Sequence, residues 1–202
     1  NNAIELEKYK FNKETRDNLR KKLHIENKFV IGHVGRFSFE KNQDFIIRLA
    51  EKLKISKSEF AFVLVGDGPD FERIKNDIYT KKLDNHFLLL GARQDVDKLL
   101  NCFDLFILPS LFEAFPITLI EAQVSGIDCI VSDNVTKEVK INKNLAFACI
   151  NGKESLNEWC NLIQKNMDDK KDKERKYNKE MDKFDIKNVI QQLENFYEKI
   201  VR

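Results

Sequence analysis

Nowhere in this 202-residue chain is there an apolar run long enough to cross a bilayer, so the sequence offers no membrane-spanning helix. The opening residues, NNAIELEKYK, are polar and lack the apolar segment of a secretory signal. They also lack an initiating Met, as expected of an excised fragment or a processed product. Neither sign of charge dominates: 35 Lys and Arg face 33 Asp and Glu, a net +2. That balance argues against nucleic acid or a strongly anionic membrane as partner. The cysteines, Cys102, Cys129, Cys149 and Cys160, form no C-x-x-C, and no histidine stands at zinc spacing from them. They are expected to be small, apolar, mostly buried residues in a reducing compartment. No metal site is expected, and the location implied is cytoplasmic, with the inner face of the membrane as the alternative.

Two nucleotide motifs are missing as well. There is no G-x-x-x-x-G-K-[ST], hence no P-loop. VGDGPDF (65–71) begins like a dinucleotide fingerprint, but the third glycine is replaced by Phe71, so an NAD site is unsupported. No internal repeat or low-complexity linker divides the chain.

What is present is an alternation of short apolar runs and amphipathic stretches. Strands are predicted at 28–36, 59–66, 86–91, 105–110, 128–133 and 145–150. Helices are predicted at 41–55, 70–83, 95–103 and 116–126. Apolar strands separated by helices imply a parallel sheet covered on both faces, a Rossmann-like, doubly wound α/β domain. The expected organisation is one domain: a linker or leading helix over 1–27, the sheet core over 28–150, and C-terminal helices over 151–202. The charged run 165–184 reads as a solvated helix face. The apolar stripe of 185–201 must dock on something.

Ligands of such sheets bind beyond the carboxyl ends of the strands, which here means loops 35–41, 66–70, 91–95, 109–116 and 133–138. In the first loop, Gly35 permits a sharp turn and close approach, and Arg36 and Lys41 converge on a helix start as a diphosphate would require. Gly66 and Gly68 allow close backbone approach in the second. In LPSLFEAFPITLIEAQVSG (108–126), Pro116 is expected at the first helical position. The N–H groups of Ile117 and Thr118 can meet an anion. Glu113 lies before that helix and Glu121 within it. Carboxylates accept paired hydrogen bonds from vicinal hydroxyls, so the two could read two polyols flanking a phosphate, the layout of a nucleotide diphosphate sugar. Either glutamate alone is explained by helix-start electrostatics or partial exposure; the ensemble is not. His33, inside a strand, is expected to line the core or a cleft rather than act as a base.

GRFSFEKN, VLVGDGPDFERI, FLLLGARQDVDKLL and DLFILPSLFEAFPITLIEAQVSGIDCIVSD, in that order, resemble the C-terminal, donor-binding domain of retaining GT-B glycosyltransferases of the glycosyltransferase 4 type. The likeness extends to those that build extracellular or capsular polysaccharide, and it is strong over about residues 28–150. The resemblance implies that Arg36 and Lys41 hold the donor diphosphate and stabilise it as it leaves. It implies that Glu121 binds the ribose hydroxyls and that Glu113 contacts the sugar, with the amides of Ala114 and Phe115 nearby. It places the loop bearing Arg93 near the base. Ala114, where the family often has glycine, and Pro116, which removes an amide, depart from the pattern.

The expected activity of the parent protein is therefore retaining transfer of a hexose-type unit from a nucleotide sugar, of UDP type, to a glycan or lipid-linked acceptor, without a metal cofactor. The acceptor would be bound by a further, N-terminal domain, so donor binding rather than turnover is expected of this chain. Peripheral membrane association would belong to the full protein. The rivals are a GT-B-like nucleotide-sugar epimerase and a non-catalytic nucleotide-sugar binding module.

Overall fold

The computed structural model describes residues 3–54, 59–169 and 175–201. Its strands are β1 (Phe29–Val34), β2 (Phe60–Val65), β3 (Phe87–Leu89), β4 (Leu105–Leu108), β5 (Asp128–Ser132) and β6 (Leu145–Ala148). They pair in parallel in the order β3-β2-β1-β4-β5-β6. The helices are α1 (Leu6–Tyr9), α2 (Lys13–Lys22), α3 (Gln43–Leu53), α4 (Phe71–Thr80), α5 (Val96–Leu99), α6 (Ile117–Val124), α7 (Ser155–Asp168) and α8 (Ile186–Val201).

β1, β2 and β4 are buried along their whole length, which is why they read as unbroken apolar runs. Alternate side chains serve opposite faces. Phe29 and Ile31 point to one core with Phe45 and Leu49 of α3 and Trp159 and Ile163 of α7. The rings of Phe45 and Trp159 meet edge to face at 5.4 Å. Val30 points to the other core with Phe103, Phe106, Leu119 and Ala122. Gly32 between them is a packing requirement, because a Cβ there would stand 2.0 Å from the Phe103 ring.

The first residues are fastened to the sheet. Arg16 and Arg20 of α2 both pair with Asp104, which opens β4, and the Asp104 carboxylate also accepts the Val30 N–H at 2.7 Å. One carboxylate thus joins α2, β1 and β4. Burial pushes the Asp104 pKa up, but the two guanidiniums and their hydrogen bonds outweigh it and hold the carboxyl below its usual range. Ile4 bridges Asp185 in parallel, so the start of the chain also lies against the segment that opens α8.

Several expectations change. Pro116 caps α6 from outside, in an extended conformation, and the helix begins at Ile117. The stretch predicted as helix 95–103 is one turn of α5 followed by a 3₁₀ turn, Leu100–Cys102. The run 165–184 is not a single solvated helix. α7 ends at Asp168, residues 170–174 lie outside the described residues, and 179–184 form a 3₁₀ segment. Arg175 of that run turns inward and donates to the carbonyls of Leu100 and Phe103. α8 docks through Val189, while Ile190, Leu193, Phe196 and Tyr197 stay exposed; the side chain of Ile200 lies outside the described residues. Cys102, Cys129 and Cys160 are buried and Cys149 is half-buried, all as free thiols.

Removing the Asp104 charge strands two arginines, so Asp104→Asn should cost about 3 kcal/mol at neutral pH, measured by urea unfolding. A depressed folded-state pKa contributes stability above the unfolded carboxyl value and loses it as pH falls through the folded one. The gap between wild type and Asp104→Asn should therefore shrink below about pH 4.

Candidate functional site

The strand order reverses between β1 and β4: from β1 the chain moves to β2, and from β4 to β5, on opposite sides. In such sheets the crevice outside the carboxyl ends of the strands lies at this point, bordered by the loops that leave these two strands. These loops are 35–42 and 109–116, which contain the expected ligand loops 35–41 and 109–116.

Hydrogen bonds hold the two loops against each other. Leu111 N donates to Glu40 O at 2.8 Å, and Asn42 Nδ2 to Pro109 O at 3.0 Å. Across this seam Lys41 Nζ forms an ion pair with Glu113 Oε1, both side chains being largely shielded from solvent. The buried Ser110 hydroxyl donates to the same Glu113 oxygen at 3.1 Å. A third loop supports Glu113 from behind: Glu113 bridges Val135, and Asn134 Nδ2 donates to Leu111 O at 2.8 Å. Residues 72 apart in sequence are thereby brought into one charged contact.

Gly35 and Arg36 follow β1, and the Arg36 side chain is exposed at the crevice edge. The close approach at Gly66 is to protein: with φ of +139°, a Cβ there would lie 2.0 Å from Gly35 O. Gly35 N in turn donates to Val65 O at 3.0 Å, and Phe37 N to Asp67 O at 3.0 Å. Gly66 and its loop thus form the floor under Arg36.

Ala114 and Ile117 are exposed, Phe115 and Thr118 half-buried. The Phe115 ring lies 6.0 Å from that of Phe184. No side chain caps α6, so its first-turn N–H groups at Ile117 and Thr118 have no side-chain partner there, while Leu119 N turns back to Pro116 O.

Glu121 lies apart from the Lys41–Glu113 pair, on the side of α6 that faces α1. It is nearly buried and accepts a hydrogen bond from the Tyr9 hydroxyl. Burial raises its pKa, the Tyr9 bond opposes that rise, and the nearby charge of Asp97 adds to it. Tyr9 and Asp97 also line a cavity of about 470 Å³ with Arg93, Gln94, Val96 and Lys98. Arg93 is held there by a two-bond pairing with Asp95, each bond 2.8 Å. The predicted residues thus fall into two groups, Gly35, Arg36, Lys41 and Glu113 at the switch point and Arg93 beside the cavity near Glu121. Sequence reasoning missed Tyr9 as a partner, because 112 residues separate it from Glu121 and no local pattern joins them. Ser110 carried a signal only as the polar residue ending a strand. Among the described residues no group of three or more His, Cys, Asp or Glu is arranged to hold a metal ion, and no helix is long and apolar enough to cross a membrane.

The six-stranded parallel sheet and its covering helices define an α/β domain, the Rossmann-like half of a GT-B architecture. The chain belongs to the family Glycosyl transferases group 1, which it matches over residues 15–183. It is 35% identical over 163 residues to the putative glycosyltransferase EpsF of Bacillus subtilis, covering 80% of this chain and 42% of that protein. It is 35% identical over 136 residues to the Escherichia coli UDP-Gal:alpha-D-GlcNAc-diphosphoundecaprenol alpha-1,3-galactosyltransferase, covering 65% of this chain and 35% of that protein. The chain thus spans less than half the length of either relative. Among solved structures, Anabaena HepE in complex with UDP-glucose superposes with a TM-score of 0.81 at 21% identity, over 98% of this chain and 56% of that one.

The Tyr9 hydroxyl lowers the Glu121 pKa against the effect of burial. Tyr9→Phe should therefore move the Glu121 carboxyl titration, followed by carbon-13 NMR, to higher pH. A carboxyl that titrates at the same pH in both proteins would mean that the two groups do not interact.

Proposed function

We propose that this chain is the donor-binding half of a retaining glycosyltransferase that moves a hexose-type unit from a UDP-type nucleotide sugar to a glycan or lipid-linked acceptor. The observation that carries the reading is the Lys41–Glu113 contact at the switch point. A cation suited to phosphate and a carboxylate suited to hydroxyls stand side by side there, as the junction between a diphosphate and its sugar demands. The relatives support it: one is named as a UDP-Gal:alpha-D-GlcNAc-diphosphoundecaprenol alpha-1,3-galactosyltransferase, and HepE was solved with UDP-glucose.

In this reading Arg36 and Lys41 hold the diphosphate, over the floor built at Gly35 and Gly66. Glu113, steadied by Ser110, takes sugar hydroxyls together with the amides of Ala114 and Phe115. Ile117 and Thr118 at the start of α6 complete the phosphate cradle. Glu121 takes the ribose hydroxyls, which replace the Tyr9 hydroxyl, and the Arg93 loop borders the base. When the sugar–diphosphate bond breaks, the electron pair leaves with the diphosphate. The two cations stabilise that charge, and the reading requires no metal ion as cofactor. The acceptor is bound by a part of the protein beyond this chain.

Calorimetric titration tests the assignment. Arg36→Ala and Lys41→Ala should each weaken UDP binding by about tenfold or more, since a hydrogen bond to a charged group contributes roughly 1.5–3 kcal/mol. Uridine binding should change much less. Unaltered UDP affinity in both variants would place the diphosphate elsewhere. Glu121→Gln should reduce the preference for ribose over deoxyribose nucleotides. Glu113→Gln should weaken only the sugar-bearing donor, and equal losses of UDP affinity in both glutamate variants would refute the division of roles.

A further inference from the structure

Beneath the switch-point loop lies a chain of buried polar groups. His33, on β1, is fully buried, and its Nδ1 lies 3.1 Å from the carbonyl oxygen of Ile107 on β4. A carbonyl oxygen only accepts, so Nδ1 carries the proton. In a neutral imidazole Nε2 is then a bare acceptor. Burial pushes the His33 pKa down to about 4, so the ring is neutral at physiological pH. The Nε2 atom faces the side-chain amide of Gln43, on α3, at 3.3 Å. Gln43 is itself buried, and the same amide nitrogen donates its second hydrogen to the backbone carbonyl of Arg36 at 2.8 Å. The order is therefore Ile107 O, His33, Gln43, Arg36 O: from β4 through β1 and α3 to the loop.

Only one orientation of the Gln43 amide satisfies both neighbours, because both are acceptors and only the NH2 end donates twice. The His33 tautomer thereby sets the amide, and the amide sets the Arg36 peptide. The loop has little freedom over this support. A Cβ at Gly35 would lie 3.3 Å from His33 Nε2 and 3.5 Å from Lys41 Cδ, so Gly35 packs against the ring on one side and the Lys41 stem on the other. None of these groups reaches the crevice, and neutral His33 and Gln43 have no part in proton transfer there.

We propose that Gln43, oriented by His33, is a positioning residue that holds the Arg36–Lys41 loop in the geometry that takes a nucleoside diphosphate. The inference rests on the assignment of Arg36 and Lys41 to the diphosphate. A loop that carries charges must keep them at fixed separation, since displacement by about an ångström costs much of a directional contact. The peptide that joins Arg36 to Phe37 is held on its N–H side by Asp67 O, and Gln43 holds its carbonyl side from below.

Gln43→Met has similar length and no donor. It should weaken UDP binding by about tenfold, the equivalent of one lost charge-assisted hydrogen bond, while uridine binding stays the same. Arg36→Ala run alongside separates the two levels of the argument. If Arg36→Ala weakens UDP and Gln43→Met, folded by circular dichroism, does not, the positioning role is wrong and the diphosphate assignment stands. If neither variant weakens UDP, both are wrong. Should Gln43→Met fail to fold, nitrogen-15 NMR of His33 in the unaltered protein decides. The expected result is a proton on Nδ1, a bare Nε2 and no titration above about pH 5. A proton on Nε2, or titration near neutral pH, would overturn the proposal.

Discussion

β1 and β4 lie side by side in the sheet, yet the chain leaves them toward opposite edges. Because the chain leaves toward opposite edges, no crossover covers the carboxyl ends of these two strands, and side chains from both sides can converge there. The features of the site follow from this constraint. Lys41 comes from the β1 side and Glu113 from the β4 side, and their ion pair spans the seam. The residues that hold the seam, Asn42, Leu111 and Ser110, bond across it or along it. At the other end of the same two strands, Asp104 accepts from Val30 and pairs with Arg16 and Arg20. The strand pair is thus fastened at its base by one carboxylate and carries its charged loops at its top.

Charges and neutral polar groups divide the work. Exposed or half-shielded charges face the crevice, where a ligand could meet them: Arg36, Lys41, Glu113. Behind them the polar groups are buried and neutral: Ser110, His33, Gln43. A buried charge behind the site would compete with ligand for the loop cations and would carry a large desolvation cost. A buried neutral donor or acceptor with its partners satisfied carries none of that cost and still holds direction. His33 fits this arrangement because burial keeps it uncharged.

Glu113 and Glu121 look alike in sequence, spaced eight residues apart around one helix start. In the structure their surroundings differ. Glu113 has a cation and a hydroxyl for partners, in a loop. Glu121 has a phenol, a nearby aspartate and a helical backbone around it, and its pKa is raised. A carboxylate held by a neutral donor can exchange that donor for a ligand hydroxyl of the same kind. One held by a cation must share the cation with any arriving phosphate.

The fold class was legible from the chain alone, because strands buried on both faces must be apolar throughout and their covering helices must be amphipathic. The β1 and β2 runs, α3 with Phe45, Ile46, Leu49 and Leu53, and the loops at the strand ends all followed from that periodicity. The positions of Arg36, Lys41 and Glu113 in loops at strand ends, and of Glu121 inside a helix, were legible too. Their partners were not. That Lys41 meets Glu113, that Tyr9 meets Glu121, and that Gln43 and His33 support Arg36 depend on strand order and helix docking, which periodicity does not specify. The run 165–184 failed for a related reason: charge density predicts solvent exposure on average, but Arg175 turns inward and donates to the carbonyls of Leu100 and Phe103. Composition and spacing determined which elements form and which residues stand at their ends. Only the tertiary structure decided which of those ends meet, because contacts between residues far apart in sequence arise from the packing of whole elements and leave no local trace.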